Sequence, residues 1–369
     1  MSTFKVEVAK LEITSHPQAD RLEIAKVKGW QCVVVKDQFK TDDLGVYIPI
    51  DSVLPEALVK ELGLEKMYNK RVKTVKLRGF VSQGIVMKPR EGWIEGQDVT
   101  TELSITKWEE PIPVQMRGIM APRVPGMEIY TDIENIKNFP DAFEEGEMVV
   151  LVEKIHGTNA RFYKKEGNLY VGSHKMTLQE DPKNLYWRAA HLTNLKDKLQ
   201  DGEELFGEIF GSSVQDLTYG CKPGEIKVAF FDILSDGVFM DFDNFIKECV
   251  KRDLPIAPVI ARNKWSSTLL KSVLTRIVNA CPQCEETTLL LSHFADEKCS
   301  KCGFLVGKGK AVQKEVPLTS QVSPGQILEG TVIRPERERY SEKLQGRLIL
   351  KHITDEYHLR KGKDATERH

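Results

Sequence analysis

The stretch Met148-Val149-Val150-Leu151-Val152-Glu153-Lys154-Ile155-His156-Gly157-Thr158-Asn159 decides the fold. Its apolar run reads as a buried strand. Lys154 ends that strand, and Gly157 leaves the backbone bare for close approach by a ligand. A lysine so placed is poised as an amine nucleophile. K-x-x-G is common by chance, so its meaning rests on its downstream company.

Downstream, Thr158 to Tyr163 and Asn168 to Ser173 read as strands joined at Glu166-Gly167. Leu185, Ala189, Leu192, Leu195 and Leu199 recur at helical spacing. Ile226 to Leu234 is a strongly apolar strand, and Ile327 to Ile333 and Arg347 to Ile353 are the last strands. Asp243 to Arg252 and Ser266 to Ala280 read as helices, with Ser266 as a cap.

Upstream, residues 1–105 read as a compact β module. Val6 to Ile13 and Leu22 to Val27 alternate apolar and polar, and Gln31 to Val35 and Gly45 to Ile50 are further short strands. Such strands imply a small barrel or sandwich. Thr14-Ser15-His16-Pro17-Gln18-Ala19-Asp20-Arg21-Leu22 resembles the opening of tRNA-binding OB modules. Lys70 to Gly79 holds five cations, and alternation would put Lys76 and Arg78 on one face and Lys73 on the other. Two readings compete there: a surface that contacts phosphate, or an edge strand guarded by lysines. Residues 106–143 carry Pro111, Pro113, Pro122, Pro125 and Pro140 and read as a Pro-rich linker.

With 369 residues, 41% hydrophobic and 29% charged, the chain has the composition of a two- or three-domain globular protein. Its formal net charge of −1 excludes a polycation, so nucleic-acid binding must use local patches. No apolar run approaches the ~20 residues of a membrane span, and the start lacks a signal-peptide core. The setting expected is intracellular, cytoplasmic or nuclear. Of seven cysteines, Cys281, Cys284, Cys299 and Cys302 form two C-x-x-C pairs. That pattern fits a closed four-cysteine site for structural Zn2+ in an insertion at 279–307. Lys298, Lys301, Lys308 and Lys310 nearby read as an RNA-contacting knob or a solvated face.

After Lys154 come Leu205-Phe206-Gly207-Glu208-Ile209-Phe210-Gly211, then Val228-Ala229-Phe230-Phe231-Asp232-Ile233-Leu234, Glu329-Gly330-Thr331-Val332-Ile333-Arg334 and Leu348-Ile349-Leu350-Lys351. In order and spacing these segments resemble the nucleotidyltransferase motifs of ATP-dependent RNA ligases, of the nick-sealing type with an N-terminal OB module. The resemblance implies an α+β chain. An OB-like β-barrel (1–105) would precede a nucleotidyltransferase (ATP-grasp-like ligase) domain of antiparallel sheets with flanking helices (144–359), and a polar tail (360–369) would follow.

The resemblance also implies roles. Lys154 would take AMP from ATP. Glu153 would read the adenine edge, Phe231 would stack on the ring, and Asn159 would contact phosphate or ribose. Only one of Phe230 and Phe231 can face the pocket. Glu208 and Glu329 would contact ribose or hold Mg2+ or Mn2+, hard ions that prefer oxygen donors. Lys351 would contact the α-phosphate, and His156 the pyrophosphate or the RNA end. The pattern departs from the phage type at Ile349, where a second lysine is usual. It departs again at Gly172-Ser173-His174-Lys175, where Ser-Arg is common; Lys175 is the expected substitute. RNA, as a nicked duplex or an RNA:DNA hybrid, is the implied partner, with Lys73, Lys76 and Arg78 as further contacts and no obligate protein partner. The rivals are a DNA ligase, a GTP-dependent capping guanylyltransferase, and a non-catalytic nucleic-acid-binding protein on the same scaffold.

Overall fold

A computed structural model describes residues 4–108, 119–284, 297–307 and 310–360. Pro111, Pro113, Lys308, residues 285–296 of the expected insertion and the tail after Arg360 lie outside the described residues.

Short alternating strands build the first module, as their pattern requires. Glu7–Lys10, Leu44–Ile48 and Ile85–Met87 form one antiparallel sheet, and Glu12–Ser15, Leu22–Val27 and Trp30–Val35 form another. Thr74–Leu77 and Phe80–Gln83 make a hairpin against the second sheet, where Ser82 Oγ accepts from Val33 N at 3.0 Å. Among the described residues, these strands do not close into one continuous ladder. The hairpin corrects one expectation. Arg78 (φ 47°) and Gly79 (φ 87°) form its two-residue turn, so Arg78 leaves the strand and shares no face with Lys76.

The larger domain packs two sheets around Val150, Val152, Phe162, Leu205, Phe230 and Ile233. The five-stranded sheet runs Glu134–Asn135, Leu350–Ile353, Gly330–Pro335, Met148–Lys154, Val259–Lys264. The six-stranded sheet runs Thr177–Leu178, Asn168–Ser173, Thr158–Lys165, Glu203–Gly211, Ile226–Ser235, Val238–Phe239, all antiparallel. The linker expected at 106–143 is built into both modules at its ends. Thr106–Lys107 pairs with Ser52–Val53, and Glu134–Asn135 pairs in parallel with Leu350–Ile353.

Two helices also differ from expectation. The run 185–199 breaks into Leu185–Leu192 and Leu195–Lys198 at Asn194, which adopts a left-handed φ of 53°. The helix expected over 266–280 covers only Leu269–Leu274, with Thr268 rather than Ser266 at its start. Thr275–Ala280 is instead a strand paired with Val312–Pro317. Its β-branched Thr275, Ile277 and Val278 favour the extended form once a partner strand is present.

Candidate active site

Packing alone requires glycine at Gly157. A Cβ there would lie 2.2 Å from the carbonyl oxygen of Ile209. Bare backbone lets Thr158–Lys165 leave the end of one sheet and join the other beside Glu203–Gly211. Gly330, paired with Lys154, is needed for close packing within its own sheet, where a Cβ would meet His352 O on the next strand at 2.0 Å. The crossing at Gly157 brings the two strand ends, and so Lys154 and Glu208, around one cavity.

That cavity, of about 120 Å³, is lined by Glu153, Lys154, Asn159, Glu208, Phe231 and Lys351, with Tyr130, His174, Arg334 and Ile349 among the others. Glu329 stands just behind it, and its Oε1 accepts from Lys154 Nζ at 2.7 Å. Burial works to raise the Glu329 carboxyl, but the Lys154 charge and His156 hold it down at about 2. Burial drives Glu208 the other way, up to about 8, helped by the Glu329 charge and only partly opposed by Lys154. Two neighbouring carboxylates with opposite shifts mark a site short of positive charge. Asn159 Oδ1 is also buried without a hydrogen-bond partner. This oxygen-rich donor set fits a hard divalent cation held by Glu208 and Glu329.

A β-bulge aims Phe231. The ladder pairs Phe206 with Asp232 and Gly207 with Phe230, which leaves Phe231 as the extra residue. Phe230 goes fully into the core, whereas Phe231 faces the cavity and meets Tyr130 edge-on at 5.1 Å. Beneath them, Asp232 accepts from Tyr130 Oη at 2.7 Å and pairs with Arg334 at 3.1 Å and Arg347 at 2.6 Å. Ile349 and Lys351 both line the cavity from the strand end near Leu350–Ile353.

Other expected residues sit differently. The Glu153 carboxylate is buried, and its oxygens accept from Ser320 Oγ at 2.5 Å and Gln321 N at 2.7 Å. His156 is also buried and does not line the cavity. Its Nε2 donates to Asp216 Oδ1 at 2.6 Å, and its Nδ1 lies 3.0 Å from Tyr357 Oη. Lys175 is exposed and outside the cavity; its neighbour His174 lines it instead, 3.3 Å from Asp132. Lys73 and Lys76 belong to the OB-like module's hairpin region, away from the cavity lining. Sequence reasoning missed His174, Tyr130, Asp216 and Tyr357. The Ser-x-Lys offset was the only signal for His174, and long-range packing gave none for the rest.

In the cysteine cluster, the ligand sulfurs of Cys281, Cys284, Cys299 and Cys302 lie within 4.8 Å of one another. The Cys281–Cys302 and Cys284–Cys299 sulfurs are each 3.7 Å apart. Zn–S bonds of about 2.3 Å give a tetrahedron with edges of about 3.8 Å, so the four positions fit one zinc ion. The backbone N–H of Cys302, ahead of that of Lys301, holds the Cys299 thiol down at about 7.

An OB-like module joined to a two-sheet domain with a terminal-strand lysine in its pocket defines a nucleotidyltransferase-type ligase. The chain belongs to the RNA ligase family, whose model matches residues 147–353. An OB-fold domain model matches residues 6–89. A mutant of Naegleria gruberi RNA ligase solved with ATP and Mn is similar in fold, with TM-score 0.70 and 22% identity over 96% of this chain and 98% of that one. The same organism's RNA ligase with PPi gives 0.69 and 23% over 96% of each. No curated protein sequence matches significantly. Among the described residues, no helix is long and apolar enough to cross a membrane.

Proposed function

We propose that this chain is an ATP-dependent RNA ligase that joins a 3′-OH to a 5′-phosphate, sealing nicks in duplexes through a lysyl-AMP intermediate on Lys154. The observation that carries the reading is Lys154 Nζ held 2.7 Å from Glu329 in a cavity that also holds Phe231, Glu208 and Lys351. Related fold members solved with ATP and Mn, and with PPi, fit the first half-reaction.

Lys154 attacks the α-phosphate of ATP and forms a phosphoramide bond, and pyrophosphate leaves. AMP then passes to the RNA 5′-phosphate, freeing the lysine. The 3′-OH attacks that activated phosphate, the phosphodiester forms and AMP departs. Phe231 supplies an apolar face for the adenine, and Lys351 offsets charge that develops on the α-phosphate. Glu329 steadies the Lys154 amine. Glu208 and Glu329 would hold Mg2+ or Mn2+, which supplies charge neutralisation at the phosphates. The four cysteines would hold a structural Zn2+.

Intact-mass measurement after ATP and Mg2+ tests the reading. An added adenylate on wild type, absent in Lys154→Met, is expected. A guanylate adduct from GTP with none from ATP would refute it. Sealing of matched nicked substrates, with RNA or DNA on each side of the break, then decides duplex RNA against hybrid.

A further inference from the structure

Beside the nucleotide cavity lies a second one that the proposed chemistry leaves unused. It is lined by Arg123, Arg161, Lys175, Met120, Met127 and Met176, among others, and its free space is about 230 Å³ against about 120 Å³ for its neighbour. The two share a wall. Tyr130 and His174 line the nucleotide cavity, while the adjacent Ile129 and Lys175 line this one.

Its construction is specific. The segment at 119–121 extends a sheet edge, with Ala121 N donating to Thr177 O at 2.9 Å and Gln179 N to Ile119 O at 2.9 Å. Arg161 is buried at 3% exposure, yet lines the cavity. Its Nε donates to Ser173 O at 2.7 Å and its Nη1 to Glu128 O at 2.5 Å, which pins the segment over the sheet. Met127 is buried and held by the Thr177 hydroxyl at 3.7 Å, whereas Met120 is 66% exposed. Arg123 and Lys175 are exposed and make no ion pair among the described residues. Among those residues, no carboxylate lines the cavity. Arg161 is already paired with Glu204 at 3.9 Å, which leaves Arg123 and Lys175 as two exposed cations over a soft apolar floor, complementary to a group that is anionic at one end and flat and apolar at the other.

We propose that this cavity seats one nucleotide of the RNA strand at the break, with its backbone phosphate on Arg123 and Lys175 and its base against Met120 and Met127. The proposal rests on the RNA ligase reading and names a contact that reading does not assign. The alternative anion is the β,γ-phosphate end of ATP, and the test separates the two.

The experiment measures equilibrium binding of a 5′-phosphorylated nicked RNA duplex against salt, and the sealing rate relative to self-adenylylation. Arg123→Ala is expected to weaken RNA binding by roughly tenfold and to reduce the salt slope by about 0.7–0.9, one phosphate contact. Arg123→Lys should restore most of that slope. Met120→Ala should weaken binding several-fold with the slope unchanged, because it removes an apolar contact only. Sealing should fall more than self-adenylylation. An unchanged slope in Arg123→Ala, or equal falls in adenylylation and sealing, overturns the subsite. Failure of the wild type to adenylylate would instead refute the ligase reading, and the salt slope would still decide whether RNA sits here.

Discussion

Replacing Glu208 by Gln should make the metal-free protein more stable than wild type, and more so as pH rises. The Glu208 carboxyl sits at about 8 against an ordinary 4.5. For a buried acid shifted upward, the sign runs against the usual carboxylate case. Below pH 4.5 both folded and unfolded chains hold the proton, and nothing is lost. Between 4.5 and 8 the unfolded chain ionises and the folded one does not, so stability falls as pH rises; above 8 the full cost stands. Each pH unit in that window is worth about 1.36 kcal/mol. From pH 5.5 to 8 the interval is 2.5 units, about 3.4 kcal/mol, less about 0.4 for half-ionisation at the upper end. Gln keeps the shape of the protonated acid and removes the titration. The gap between Glu208→Gln and wild type should therefore widen by about 3 kcal/mol, roughly a hundredfold in amide protection. Hydrogen exchange on the strand Glu203–Gly211, at both pH values without divalent metal, reads it. A gap that stays constant with pH would refute the assignment of this charge shortage to Glu208.

Lys154→Met and Glu329→Gln should each destabilise by about 3 kcal/mol, since each strands a buried partner, while the double variant should recover most of it; additive losses in denaturant unfolding would mean the 2.7 Å pair is unimportant. Gly157→Ala drives a Cβ against the Ile209 carbonyl and should cost about 2 kcal/mol or more, lowering the melting temperature by several degrees; an unchanged melting temperature counts against the tight crossing. Cys299→Ser should reduce zinc content by elemental analysis from one ion per chain to well below one. Retention of a full equivalent would show that the ion is held elsewhere.

The order of elements in the larger domain was legible because buried strands announce themselves as apolar runs: Met148 to Val152 and Ile226 to Leu234 emerge where expected. So was the cysteine cluster, whose spacing carries its own geometry. Illegible was whatever depends on a distant partner. Thr275–Ala280 had helical periodicity, but Val312–Pro317 lies beside it and offers a ladder. Arg78 alternated correctly with Lys76, but the turn needed two residues at positive φ. Lys175 was one position from the cavity, and strand direction at Ser173 gave that wall to His174. The Phe230–Phe231 choice could be posed from alternation, but only the bulge against Phe206-Gly207 settles which ring enters the cavity.

Under the proposed reading, the same carboxylate that keeps Lys154 in place also keeps it idle. An ammonium paired at 2.7 Å with Glu329 favours its charged form, and a charged amine has no lone pair to attack phosphorus. Glu329, held at about 2, stays ionised across the physiological range, so it does not release the lysine by titrating. Release has to come from competition for charge. A cation at Glu208 and Glu329 would take that carboxylate as its own partner and weaken the hold of the Lys154 amine on its proton, whereas nucleotide phosphates beside the lysine would on their own keep it charged. The free protein is thereby safe from carrying a naked amine in a buried site, and the nucleophile becomes available only once a cation has taken up the charge of Glu329.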